Sequence, residues 1–390
     1  MDDKISRLAR SGQEWVVSLR RHFHMRPELG GEERETQAKI IAELMALGLT
    51  PRKAGGTGVL VDIAGNRPGK LTAIRADIDA LPIQDELEQP YRSQHPGRCH
   101  ACGHDAHTAM LLGAARVLAA LRPEMAGSVR LIFQPSEEQF PGGAQAMIAD
   151  GALTGVYAVI GAHVWQSVEA GRIGITHGRL MAEPDAFTIS IRGQGGHGSM
   201  PHQTIDPIYV GSQIVVALKA IVGCNIDPLE PVALSLGMFK SGDIFNVIPD
   251  KAVLSGTVRT FDTAVRDRIF SRIDSVCSGV CAASGASYTL EPQYGYPALI
   301  NQRAVSELIA AVAVDVLGDG ALAPFQPVLG GEDFSYYLQS APGAFFFLGS
   351  GNAAKGIIYP QHHPRFDIDE SVLLPGVEIL TRAALRLAKQ

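Results

Sequence analysis

The chain has 390 residues, too many for one ordinary hydrophobic core, so two domains are expected. Hydrophobic residues make up 46% and charged residues 19%, a globular balance, and a net charge of -6 without a basic run argues against nucleic-acid binding. The charged start MDDKISRLAR is unlike a secretory signal, no apolar run is expected to reach the roughly 18 residues of a membrane span, and five cysteines make a poor disulfide scaffold; a reduced, cytoplasmic protein is expected.

Residues 4–25 carry Leu8, Val16, Leu19 and Phe23 at helical spacing. RPELGG reads as a turn, and a second helix is expected from about Glu32 to Gly48. GVLVDIAG and KLTAIRADID read as neighbouring strands around a Gly/Pro/Asn turn. HTAMLLGAARVLAAL is an amphipathic helix, SVRLIFQP a buried strand stopped by Pro135, GGAQAMIADGAL a helix and AVIGAHV a short apolar strand. Strands alternating with helices predict an α/β fold, a mainly parallel sheet with helices on both faces. Near Glu183 and Pro184 the pattern changes. AFTISIRG, DPIYVGSQIVVALKAIV, VALSLGMFKSG, AVLSGTVRTF, AVRDRIFSRIDSVCSGVCAAS and SYTLEPQY follow as β-α-β-β-α-β, the order of a ferredoxin-like α+β unit. After GYPAL the αβ pattern resumes. The expected organisation is a larger domain over 1–184 and 296–390, interrupted by an inserted domain over 185–295.

Residues that suit metal chemistry cluster in the larger domain. HACGHDAH, 100–107, places Cys102 and His104 two apart, so that in an extended segment both side chains point the same way. Thiolate with imidazole suits zinc, manganese, cobalt or nickel better than magnesium or calcium. Cys99 and Cys102 also form a C-x-x-C pair, but not after the first strand of a thioredoxin-like unit. QPSEE, 134–138, ends a buried strand, and its adjacent glutamates Glu137 and Glu138 point in different directions there. His163 is expected to end another apolar strand. QHHPRFDIDE, 361–370, offers His362 and His363 beside a turn fixed by Pro364. Each alone is equally read as a core or surface residue. Together they fall at strand ends or loops of one α/β domain, where open sheets bind ligands.

RRHFHMRPELGGEERET, RADIDALP, HACGHDAHTAMLLGAA, QPSEE, GGHGSMPH and HHPRFDIDE occur in an order that resembles the metal-dependent amidohydrolases of peptidase family M20. The likeness spans essentially the whole chain and is greatest to the branch of hippurate hydrolase, N-acyl-amino-acid amidohydrolases and auxin-conjugate hydrolases. It implies a zinc-exopeptidase-like catalytic domain and two divalent ions, manganese, zinc, cobalt or nickel. The implied ligands are Cys102, His104, Glu138, His163 and His362, the last chosen over His363 by the His-x-Pro register. Asp77 stands where other branches carry a histidine, and Asp79 is expected to orient a ligand histidine. Glu137 is implied as general base. In the inserted domain, His197 is implied to stabilise the oxyanion in a partner subunit's site, with His202 structural and Asn246 and Arg259 meeting the substrate's polar end. The implied substrate is a small N-acyl amino acid, the alternative an unblocked peptide, and the implied assembly a homodimer or higher homo-oligomer through the inserted domain, without nucleic-acid or membrane partners.

Overall fold

The computed structural model describes residues 1–390. Gly12 breaks the first helical stretch into α1 (Asp2–Ser11) and α2 (Gln13–Met25). Helix α3 (Arg34–Ala46) stops short of Gly48, whose φ of +73° turns the chain at no cost to a residue without a Cβ. Strands β1 (Arg52–Ala54), β2 (Gly58–Ala64) and β3 (Arg67–Asp77) lead to α4 (His104–Leu121), and β4 (Ala126–Gln134) to α5 (Ala144–Ala149) and β5 (Val156–Glu169). The short strands β6 (Ile173–Gly174) and β7 (Arg179–Met181) come next. Then follow β8 (Glu183–Arg192), β9 (Gly196–His197), α6 (Pro207–Asn225), β10 (Ala233–Ser241), β11 (Val247–Ile248), β12 (Lys251–Thr260), α7 (Thr263–Ser284) and β13 (Ser287–Gln293). The chain closes with β14 (Leu299–Ile300), α8 (Arg303–Leu317), α9 (Ser335–Ser340), β15 (Gly343–Gly351) and α10 (Leu373–Ala388).

Two compact units result. One comprises Met1–Leu180, Ile300–Gln326 and Asp333–Gln390; the other comprises Met181–Leu299 and Pro327–Glu332. The divisions fall a few residues outside the expected 185–295. Pro327–Glu332 joins the second unit because Val328 bridges Met181 and the Gly330 carbonyl accepts from the Ala182 amide at 2.9 Å.

The first unit holds a seven-stranded sheet in the order β1-β2-β4-β3-β5-β15-β6. Its four central strands run parallel and its outer pairings are antiparallel. β15 is buried at every position, as a parallel strand covered on both faces must be. The consecutive strands β2 and β3 are not neighbours, contrary to expectation. β4 lies between them, with Leu131 opposite Val61 on one side and Ile74 on the other. The crossover that two parallel strands require is supplied by α4. From β3 the chain steps to β4 on one side and then to β5 on the other. That reversal opens a crevice beyond the carboxyl ends of these strands. α10 packs on β3, β4 and β5, and also against α4.

The second unit is a four-stranded antiparallel sheet in the order β10-β12-β8-β13. Phe187, Ile189 and Ile191 alternate along β8 and pack with Val210, Ile214 and Leu218 of α6 and Ile269 and Ile273 of α7. Asp206 caps α6, accepting from the Ile208 and Tyr209 amides, and Asp262 caps α7 through Ala264. α6 corrects one expectation: it is long and apolar enough to cross a membrane by length and composition. Here one of its faces is buried in the small domain's core.

Candidate metal centre

The crevice is lined by residues that local backbone geometry brings to it. Gly103 has φ +93° and a Cβ there would run into Val164, so only glycine allows the turn that sets Cys102 beside His104, the first residue of α4. Pro135 ends the β4 ladder, and Ser136, at φ +56°, turns the chain into Glu137 and Glu138. His163 does not end its strand. The β3 ladder stops at the Arg75–Gly161 pair, while β5 continues beside β15 to Glu169. His163 therefore stands just past the β3 pairing, where the sheet opens. Its neighbour Val164 donates its amide to His107 Nε2 at 2.8 Å, and the Val164 carbonyl accepts from Gln361 Nε2 at 2.9 Å. His362, at φ +65°, is tied down by its amide, which donates to the Ala101 carbonyl at 2.7 Å.

Cys102 Sγ lies 3.3 Å from His163 Nε2. Potential ligand atoms of Cys102, His104 and His163 all lie within 4.8 Å of one another, and so do those of Cys102, Glu138 and His362, so the thiol belongs to both groups. His362 Nε2 is 3.2 Å from Glu138 Oε1. His363 instead stacks on Tyr359, ring centroids 4.4 Å apart. The buried Glu137 has a carboxylate oxygen within 4.8 Å of both His104 and Glu138. Asp79 is shared: Oδ1 is 3.2 Å from His104 Nδ1, and Oδ2 accepts from the Glu138 amide at 3.0 Å. Asp77 is already committed to Arg75 at 2.6 Å and His107 Nδ1 at 2.5 Å.

Electrostatics divide these groups by role. Burial raises the Cys102 thiol well above its usual range, and Glu138 and Glu137 add to it. Burial and the His107 charge push His163 well down; its Nδ1 donates to the Val164 carbonyl at 2.6 Å, leaving Nε2 as a lone pair facing Cys102. Burial works against protonating His104, but the charges of Asp77, Asp79 and Glu138 outweigh it and raise the imidazole to about 10. A hydrogen bond to Glu138 raises His362. Burial opposes ionisation of Glu138, yet His362 and His104 hold its carboxyl below the usual range. His104 Nε2 is buried without a hydrogen-bond partner. A thiol, three imidazoles and a carboxylate converging there fit divalent zinc, manganese, cobalt or nickel.

The sequence reading passed over His107 and Arg75. His107 lies three residues after His104 on the same helical face, a spacing that brings it near the cluster but does not show what it bonds. In the second unit, His197 and Asn246 lie together: His197 pairs with Val247 across β9 and β11, and the Gly198 amide donates to the Asn246 carbonyl at 2.9 Å. Both residues are exposed, as is His202. Arg259, half-buried on β12, has Asp185 as its nearby opposite charge. Burial pushes the Asp185 carboxyl up, and the hydrogen bond from the Gly295 amide and the Arg266 and Arg259 charges only partly offset it.

The fold and the donor cluster define a metal-dependent hydrolase. Residues 73–386 match the peptidase family M20/M25/M40, and the chain belongs to that family. It is 45% identical over 300 residues, 77% of this chain and 81% of the relative, to an N-acyl-L-amino acid amidohydrolase of Geobacillus stearothermophilus. It is 39% identical over 378 residues to thermostable carboxypeptidase 2 of Saccharolobus solfataricus, covering 96% and 95% of the two chains. The Bacillus subtilis YXEP protein, described as a dinuclear metal-binding peptidase of the M20 family, superposes with a TM-score of 0.85 at 33% identity over 97% of this chain and 99% of that one.

Proposed function

We propose that this protein is a binuclear amidohydrolase that cleaves N-acyl amino acids to a carboxylic acid and a free amino acid. The observation that carries the reading is the placement of Glu137. Its buried carboxylate lies within 4.8 Å of His104 and Glu138, beside the converging donors, yet it is not in either group that shares Cys102. Cys102, His104, Glu138, His163 and His362 would hold two divalent ions. When bound, such ions acidify water from a pKa of about 15.7 toward about 7 and polarise an amide carbonyl. Glu137 takes the proton from the attacking water and delivers it to the leaving amine nitrogen. Asp79 fixes the His104 ring and the Glu138 backbone together. His197 is assigned to the tetrahedral oxyanion in a partner subunit's site, and Asn246 and Arg259 to the substrate's polar end, where a guanidinium suits a carboxylate. Five free cysteines support a reducing, cytoplasmic setting.

The test is a pair of variants. Glu137→Ala should lose hydrolysis by about three orders of magnitude or more while retaining metal. Glu138→Ala should lose metal itself, and equal metal loss in both would show the pair misassigned. A second reading, cleavage of unblocked peptides, is favoured by the carboxypeptidase relative. Hippurate, N-acetyl amino acids and free dipeptides, assayed with manganese, zinc, cobalt and nickel, separate the two. Turnover of the free dipeptides alone would select the second.

A further inference from the structure

The chain holds the backbone on both sides of Glu137. On one side the Ser136 amide donates to Glu33 Oε1 at 2.9 Å; on the other the Glu138 amide donates to Asp79 Oδ2 at 3.0 Å. Both acceptors are buried. Ser136 has φ +56°, a left-handed conformation that costs an L-residue about 1 kcal/mol or more unless its surroundings impose it. Glu33 sits at the N-terminus of α3 but does not cap it: its side chain makes no hydrogen bond to that helix. The first turn is served by Glu28, which accepts from the Arg34, Glu35 and Thr36 amides. The Glu33 carboxylate is committed elsewhere, one oxygen to the Ser136 amide and the other to the Thr57 hydroxyl at 2.5 Å. Gly30 closes the other side of the turn, since a Cβ there would come within 3.2 Å of the Ser136 Cα and Oγ.

We propose that Glu33 is a positioning residue for the reaction: it holds Ser136 in its left-handed conformation and, with Asp79, clamps the peptide segment that carries Glu137. The inference rests on Glu137 acting as the base. It gives a function to the GGEE run after RPEL, which otherwise reads only as a turn and a helix start. A base displaced by about 1 Å can lose about a hundredfold in rate, so an anchor one residue away acts on turnover more than on binding. Burial pushes the Glu33 carboxyl up, so a glutamine, which copies the protonated form, can fill the same place.

The test compares metal-loaded Glu33→Gln, Glu33→Ala and the Glu33→Ala/Ser136→Gly double variant with the parent, using the N-acyl substrate that the panel shows to be turned over fastest. Glu33→Gln should stay within about threefold of the parent kcat. Glu33→Ala should lose roughly 10- to 100-fold in kcat, with KM within about threefold and metal content unchanged. Adding Ser136→Gly should recover part of that loss, because glycine reaches a positive φ without the Cβ penalty. A folded Glu33→Ala with parental kcat overturns the proposal. So does a loss that follows metal content or KM, or one that glutamine does not rescue. If Glu33→Ala does not fold, Thr57→Val removes only the carboxylate's second partner; it should lower kcat several-fold, and parental kcat there overturns the proposal equally. Glu137→Ala run alongside separates the two readings. If it stays active, the base assignment itself fails; if it is inactive while Glu33→Ala turns over normally, only the clamp fails.

Discussion

Three of the converging donors hold their protons more tightly than free side chains do when no ion is present. His104 is raised to about 10, His362 is raised, and the Cys102 thiol lies well above its usual range. Ligation requires thiolate and neutral imidazole, so protons must leave as an ion enters. Binding of zinc or manganese to stripped protein at neutral pH should release more than one proton, and apparent affinity should rise with pH over roughly 6 to 9. Calorimetry in two buffers of different ionisation heat reads the number released, and a value of zero would contradict the donor assignment. Cys102, His104 and the glutamate pair were legible in the sequence because each sits in a short run rich in donor types. His107 was not, because its position depends on an amide 57 positions away in sequence, Val164.

Among the elements, the α/β alternation was legible because each central strand is a segment rich in apolar residues, set off by turn residues from the helices between them. The neighbour relations were not. Nothing in GVLVDIAG or KLTAIRADID shows that β4, far along the chain, will insert between them. His163 was misplaced at a strand end for a related reason: the strand continues and it is the partner that stops. The turn before α4 is an exacting local geometry at the metal donors. Gly103→Ala must accept both φ +93° and a clash with Val164, so it should cost about 2 kcal/mol or more in chemical denaturation and lower metal occupancy. A variant with parental stability and metal content would show that the turn relaxes freely. Helix α2 is bound to the start of α4 by a buried ion pair, Arg20 Nε to Asp105 Oδ2 at 2.9 Å. Burial opposes ionisation of Asp105, but Arg20 and His24 hold its carboxyl far below the usual range. A depressed carboxylate stabilises the fold above its unfolded pKa of about 3.9, and the contribution is lost as pH falls. Asp105→Asn should therefore cost about 2 kcal/mol at pH 7, where it removes one of the three carboxylates paired with the buried Arg20 guanidinium, and the deficit should narrow below about pH 4. A deficit independent of pH would contradict this account.

For the molecule as a whole, the two units have separate apolar cores, neither of which includes the metal donors apart from their immediate neighbours. Chelation should abolish hydrolysis yet leave far-ultraviolet circular dichroism nearly unchanged, with activity restored by manganese, cobalt, zinc or nickel rather than calcium. Full activity in stripped protein, checked by elemental analysis, would contradict the proposed chemistry. Assembly is tested by mixing. β10 and β13 are the edge strands of the small sheet, and a second copy pairing there would give a closed two-fold dimer. If His197 serves a neighbour's site, the singly inactive Glu137→Ala and His197→Ala chains should recover activity on subunit exchange, because one composite site then carries both residues. Exchange without recovery would place His197 in its own chain's chemistry or leave the protein a functional monomer.

Where the β3 ladder ends, side chains take over the hydrogen bonds that a longer strand would have made: His107 receives the Val164 amide and Gln361 feeds its carbonyl. The Val164 peptide is in effect a reporter bonded to the helix that starts at His104 and to the loop that carries His362. Its amide proton should exchange slowly with solvent although its backbone lies past the last β3 pair, and a reading of that single exchange rate would follow the seating of helix, strand and loop without any substrate being present.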